Sequence, residues 1–177
     1  MGTRNLTMVV HEGKTKVAQY GQWDGYPKGQ GWTIRDFLVN DFNRERFLEH
    51  LSESRFVTEE EGDCPLNDRD IGGKILERIQ NSEGPLLLVD SSSFAGDSVF
   101  CEWAYVIDLD KNVLEVYRGF NHDPLPDGER FQDLKPEESG GTMYYPIKHL
   151  ITFPLDDLPD ADEFVEAIEN ALPKEEE

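Results

Sequence analysis

Hydrophobic and polar residues alternate first at Leu6, Met8 and Val10 against Thr7 and His11, and the β pattern resumes from Lys14 to Tyr20 after Glu12-Gly13. Period-two alternation on both sides of a glycine predicts a hairpin, because Gly13 supplies the positive φ that a tight turn requires. The pattern then changes to helical spacing. Ile34, Phe37, Leu38 and Phe42 share one side of a helix with Thr33 as its cap, and Phe47, Leu48 and Leu51 form a second stripe out of phase with the first. The phase break predicts a bend near Asn43. Ile71, Ile75 and Ile79 predict a short helix that Gly72 and Gly73 weaken at its start, and Leu86 to Val89 predict a buried strand. From Val99 to Ile107 both sets of alternating positions carry large residues, the signature of a central strand. Val113 to Phe120 completes a second hairpin through Asp108 to Asn112, and Ile147 to Phe153 is a further strand. The last helix has Phe164, Val165, Ile168 and Leu172 on one face, and Asp160 and Glu163 stand in capping-box spacing.

Hairpins and helices in this order predict an α+β fold: a mostly antiparallel sheet of hairpins with about three helices packed on it. One domain spans residues 1–172, with an acidic frayed end at 173–177. Two stretches carry no periodicity. Residues 121–142 hold three prolines and the Gly140-Gly141 pair and read as an extended loop. Residues 21–32, Gly-Gln-Trp-Asp-Gly-Tyr-Pro-Lys-Gly-Gln-Gly-Trp, read as an aromatic, glycine-rich loop.

Charge narrows the function classes. The 177 residues hold 37 acids against 17 bases, a formal charge of −20. A surface of that sign repels nucleic-acid phosphates and anionic lipid, so direct nucleic-acid binding and membrane attachment are not expected. The excess is unevenly placed: residues 1–40 carry three acids and five bases, and residues 155–177 carry ten acids and one base, Lys174. Composition gives no secretory leader and no disulfide framework, and Leu6 stands where a myristoylation signal needs Ser or Thr. A cytoplasmic location is the expectation.

The usual catalytic and metal signatures fail one by one. Asp108, Asp110 and Asn112 open like a calcium loop, but Val113 replaces the required Gly and Gly119 the required Glu, which leaves a β-turn. His11, His50, His122 and His149 lack zinc spacing, so no metal and no cofactor is expected. Ser91 to Ser93 follow a strand without a Gly-x-Ser-x-Gly elbow. Cys101 sits in an apolar strand, and Cys64 lies in an acidic loop that raises its thiol pKa.

The 21–32 segment is the most informative. Trp23, Tyr26 and Trp32 are costly to leave in water, and nearby glycines let the backbone approach another group. Capping of the core is one reading. The other is a small-ligand pocket built on Gln22, Trp23, Asp24 and Tyr26 against Trp103 of the central strand, with Arg4 available to Asp24 or to an anionic group. Such a non-catalytic module would take a small anionic or aromatic ligand. A second reading assigns Asp156, Asp157, Asp160, Asp162, Glu163, Glu166 and Glu169 to an acidic face that imitates nucleic acid and occupies a basic protein partner, as a phage-type inhibitor of a nucleic-acid-binding or host-defence enzyme would.

Three motifs carry a resemblance. Gly2-Thr3-Arg4-Asn5-Leu6-Thr7, Tyr20-Gly-Gln-Trp-Asp-Gly-Tyr-Pro27 and Glu102-Trp-Ala-Tyr-Val-Ile-Asp-Leu-Asp110 resemble an uncharacterised family of small bacterial, phage and fungal proteins, over most of the chain. That resemblance implies no activity. The paired hairpins are also faintly similar to Ntn hydrolases, which implies an amidohydrolase with Thr3 as nucleophile. Loss of Met1 would expose Gly2 instead, so Thr3 would need a further cleavage.

Overall fold

In the computed structural model, residues 2–61 and 68–173 are described. Cys64, Pro65, Lys174 and the Glu175–Glu177 end lie outside them. The elements in chain order are β1 (Asn5–His11), β2 (Lys14–Gly21), α1 (Trp32–Asp36), α2 (Arg44–Glu53), β3 (Arg55–Phe56), β4 (Leu87–Leu88 after α3, Ile75–Gln80), β5 (Trp103–Asp108), β6 (Val113–Arg118), β7 (Glu137–Ser139), β8 (Thr142–Tyr144), β9 (Lys148–Pro154) and α4 (Ala161–Ala171). The α+β architecture is a five-stranded sheet of order β2-β1-β5-β6-β9 with four α-helices. It is mostly antiparallel. The exception is the central pair, where β1 runs parallel to β5 with Leu6 opposite Ala104 and Met8 opposite Val106.

Both predicted hairpins form, although the second is shorter than expected, with residues 98–100 in a turn and strands only at Trp103–Asp108 and Val113–Arg118, and the first turn is held by the second. Glu12 and Gly13 have φ of 53° and 70°, the primed-turn geometry, and Asp110 accepts from both their amides at 2.8 Å. The calcium-like aspartates are therefore turn residues. Asp108 accepts from the Asp110 and Lys111 amides at 3.0 Å, and the bonds from the Gly13 and then the Glu12 amide hold the Asp110 carboxyl below its ordinary pKa.

β5 is buried along its whole length, which divides the core in two. On one face Trp103, Tyr105 and Ile107 meet the helices through residues such as Phe47, Ile75 and Phe164. On the other, Leu6, Met8, Ala104 and Val106 are covered by Ala95, Phe131 and Ile147. Phe131 comes from the 121–136 segment, so that stretch closes a core face. Its downstream end corrects the expectation of an unbroken loop to residue 142: β7 and β8 form a small hairpin around Gly140 and Gly141, at φ of 59° and 83°.

The helical side also differs from the sequence reading. Helical backbone begins at Pro27, runs through π-helical turns at Pro27–Gly31 and Phe37–Asp41 on either side of α1, and stops at Phe42. Thr33 is thus inside the helix, its hydroxyl donating to Gly29 O at 3.3 Å instead of capping. Pro27 explains the earlier start, because its fixed φ suits the first helical position. The bend at Asn43 is real: Asn43 adopts extended backbone and its side chain accepts from the Arg46 amide at 3.0 Å, capping α2. The expected single bent helix is therefore two.

Burial pushes the Cys101 thiol well above its ordinary pKa, with Asp97 and Glu102 adding to the effect. Thiolate is the reactive form. In a Cys64→Ser background, iodoacetamide should label Cys101 only as the protein unfolds, which mass spectrometry across a urea series would show.

Candidate functional site

The 21–32 segment leaves β2, turns once, and enters the helix at Pro27. The turn is centred on Asp24, whose φ of 56° is uncommon outside glycine. The surrounding hydrogen bonds fix that conformation from several sides. Trp23 O accepts from Asn5 Nδ2 at 3.2 Å and from Gln30 Nε2 at 3.1 Å. Asp24 O accepts from the Gln30 amide at 2.7 Å, and the Gly25 amide donates to Thr3 O at 2.9 Å. Gly25 O accepts from the Tyr105 hydroxyl at 2.8 Å, a bond reaching up from the buried core. Gly25 must be glycine here, since a Cβ would stand 2.7 Å from Asn5 Cβ and 2.8 Å from Thr3 O.

This backbone presents two aromatic rings to solvent with their polar tips tied. Trp23 is 45% exposed while its indole donates to Asp70 at 2.6 Å. Tyr26 is 43% exposed while its hydroxyl donates to Asp24 at 3.0 Å, and Asp24 holds the phenol above its ordinary pKa. Trp23 and Asp24 border a cleft of about 440 Å³ with Lys28, Trp32, Asp70 and Lys74. Three acids, Asp24, Asp36 and Asp70, face two lysines there, so the cleft has no anionic preference. Trp32 also lines the cleft, and its indole donates to Ala161 O at 2.9 Å.

The other sequence candidates lie elsewhere. Gln22 is half-buried beside the cleft, its amide donating to Arg69 O at 2.8 Å. Arg4 does not meet Asp24: its guanidinium lies 5.2 Å from the Phe100 ring. Trp103 is 6% exposed in the helical-side core and stacks with Arg118 at 4.7 Å, so it backs the sheet and does not line the cleft. Thr3 is half-buried, and its hydroxyl makes no hydrogen bond among the described residues. No family model, curated protein or solved structure matches the chain.

Sequence reasoning missed the residues that position the loop. Asn5 is fully buried, a polar side chain at the start of an apolar strand, and that anomaly was a readable signal. Asp70, Gln30 and Tyr105 gave none, because their roles follow from where the sheet and helix bring them. Tyr105→Phe should remove the bond to Gly25 O, leave that carbonyl unpaired in the core, and cost about 1–3 kcal/mol. Urea denaturation measures the loss, and amide exchange at Gly25 and Gln30 should quicken beyond the global change.

The acidic residues divide by role. Asp160 caps α4 by accepting from the Glu163 amide at 2.9 Å, and Asp156 accepts from Asn112 Nδ2 at 2.9 Å. Asp157, Asp162, Glu163, Glu166 and Glu169 are exposed and form no ion pair among the described residues. Among the described residues no group of acids, histidines or cysteines is arranged to hold a metal, and no helix is long and apolar enough to cross a membrane.

Proposed function

We propose that the protein is a non-catalytic binding module whose site is the cleft beside Trp23. The observation that carries this reading is the half-exposed Trp23 ring at the cleft, its indole hydrogen-bonded to Asp70, on a backbone fixed by five bonds; Tyr26, tied in the same way to Asp24, stands next to the cleft in sequence but does not line it. A turn that only capped the core would bury its aromatics. Here the chain holds them in water in a set orientation, which lowers the ordering cost when a partner covers them. With acids and lysines nearly balanced, the fitting ligand is a small aromatic molecule that stacks on Trp23 and hydrogen-bonds at its edges to Asp24 and Lys28. A reducing cytoplasm suits a module whose described cysteine is a buried thiol.

Proton–nitrogen NMR titration with aromatic metabolites tests this directly. The Trp23 indole signal and the Gly25, Gln30 and Gly73 amides should move together and saturate. Shifts confined to other regions, or none across the panel, would remove the cleft as the site.

The acidic-face reading keeps support from one observation. Asp162, Glu163, Glu166 and Glu169 all face outward on α4, while Phe164, Val165 and Ile168 face the sheet. A basic protein partner, such as the groove of a nucleic-acid-binding enzyme, would bind there with an affinity that falls steeply with salt. Neutralising these four residues together should abolish such binding. Thr3 as an amidohydrolase nucleophile requires a chain that starts at Thr3, and an intact mass that includes Gly2 would remove it.

A further inference from the structure

A second cleft lies where the end of β6, the start of β9 and the end of α4 meet. It encloses about 400 Å³ and is lined by Arg118, Phe120, His122, Lys148, His149 and Leu150, among others. Its charge is the reverse of the chain's. Among the described residues Arg118 and Lys148 line it against a single carboxylate, Asp123, in a protein of net charge −20, while the His122 ring meets Tyr144 and the His149 ring meets Tyr117 and Thr152.

Arg118 is its centre. The guanidinium lies 4.7 Å from the Trp103 ring and 5.1 Å from the Phe120 ring, and its Nη1 donates to Glu102 O at 2.7 Å. Neither Arg118 nor Lys148 forms an ion pair among the described residues. Burial lowers the Arg118 pKa from its ordinary value, so the surroundings are worse than water at hosting this cation. Half-buried arginines are ordinarily paired with a carboxylate, whereas this one has aromatic faces and a carbonyl in contact and the Glu102 carboxylate acting on it without forming an ion pair.

The Phe120 backbone adds an independent observation. Its φ is 53°, left-handed space that a bulky side chain rarely enters, yet the ring is 43% exposed beside Arg118. The turn is forced from both sides. A Cβ at Gly119 would meet the carbonyl oxygens of Cys101 and Ser98, the Phe120 amide donates to Ser98 O at 2.7 Å, and Asn121 Nδ2 donates to Pro146 O at 3.0 Å. Strain of this kind persists where the surroundings over-determine it and tends to mark sites of function. Its product here is an apolar ring placed beside a cation that forms no ion pair among the described residues.

We propose that this cleft binds a small organic anion in which an aromatic ring carries a phosphate or carboxylate. The anionic group sits between Arg118 and Lys148, and the ring lies against Phe120 and Leu150. The site is separate from the Trp23 cleft and does not depend on it.

Calorimetric titration at low salt, with phenyl phosphate as the probe, tests the proposal. Wild-type protein should bind it at one saturable site, more tightly than inorganic phosphate or phenol. Lys148→Ala, an exposed position, should weaken binding at least fivefold, as should Phe120→Gly, which the backbone conformation favours. Trp23→Ala should leave the affinity unchanged, so failure here and failure at the Trp23 cleft are distinguishable. Absence of saturable phenyl phosphate binding would overturn the proposal, as would affinity that survives both the Lys148 and Phe120 substitutions. Phosphate binding as tightly as phenyl phosphate would overturn the assignment of the ring.

Discussion

Replacing Arg130 with methionine should destabilise the protein by about 3–5 kcal/mol, the loss expected when one partner of a buried ion-pair network is removed. Arg130 Nη2 lies 2.8 Å from Asp108 Oδ2, and its Nε 2.9 Å from Glu115 Oε1. Asp108 is 3% exposed and Glu115 9%, so the substitution strands two carboxylates in a low-dielectric setting. Tyr117 cannot replace the lost charge. Its hydroxyl already donates to Glu115 at 2.9 Å, and burial beside that carboxylate pushes its pKa far up, which leaves it neutral. The effect extends to packing, because Phe131 follows Arg130 and its ring meets Tyr117 edge-on at 5.0 Å. Arg130 thereby latches the 121–136 segment over the second core face. Urea denaturation should show the loss as a lower midpoint. Arg130→Met combined with Asp108→Asn and Glu115→Gln should recover much of it, because the penalty comes from uncompensated charge more than from the missing contact.

Phe164→Ala should cost a comparable amount, about 3–5 kcal/mol, from lost burial plus the cavity left behind. Phe164 is fully buried on α4, its ring centroid 5.0 Å from Phe153 of β9 and its edge beside Gly31. It is where α4, the sheet and the helix that follows the Trp23 turn come together. Trp32 to Ala161 O and Arg35 Nε to Pro159 O at 2.7 Å tie the same helix to the start of α4. Loss of Phe164 should therefore loosen the Trp23 cleft as well as the fold. Glu166→Gln on the solvent side of the same helix should change stability by less than about 0.5 kcal/mol. Denaturation of the two variants side by side separates the buried face from the acidic one.

What was legible in the sequence was local. The Glu12-Gly13 turn, the Asp108–Asn112 turn, the Asn43 break and the Asp160 cap each follow from residues within a few positions of one another. Parallel pairing of β1 with β5 was not legible, since it joins segments about a hundred residues apart and leaves no mark on either pattern. The start of the first helix was missed because Gly29 and Gly31 outweighed Pro27 in a reading by propensity. Gly29 is where the backbone must approach closely: a Cβ there would collide with Asp24 O. Likewise Gly140-Gly141 was a hairpin signal hidden among prolines and acids.

The site was half legible. Trp23, Asp24 and Tyr26 stood out because large aromatics among glycines are unusual; Trp23 and Asp24 border the cleft, and Tyr26 does not. Arg4 and Trp103 were joined to them by residue type, whereas the sheet gives them different neighbours, Phe100 and Arg118. The Arg118 cleft was invisible for the same reason. Arg118, His122 and Lys148 are unremarkable alone, and only the turn at Phe120 and the end of α4 bring them around one cavity.

The central claim is that Trp23 is held ready for a ligand. A thermal-shift panel of small aromatic metabolites, run in parallel on wild-type protein and Trp23→Ala, tests it most directly, because a ligand that binds the native state raises its melting temperature. At least one compound should raise the wild-type melting temperature in a dose-dependent way and leave Trp23→Ala unmoved. Equal shifts in both proteins, or no shift with any compound, would contradict the claim.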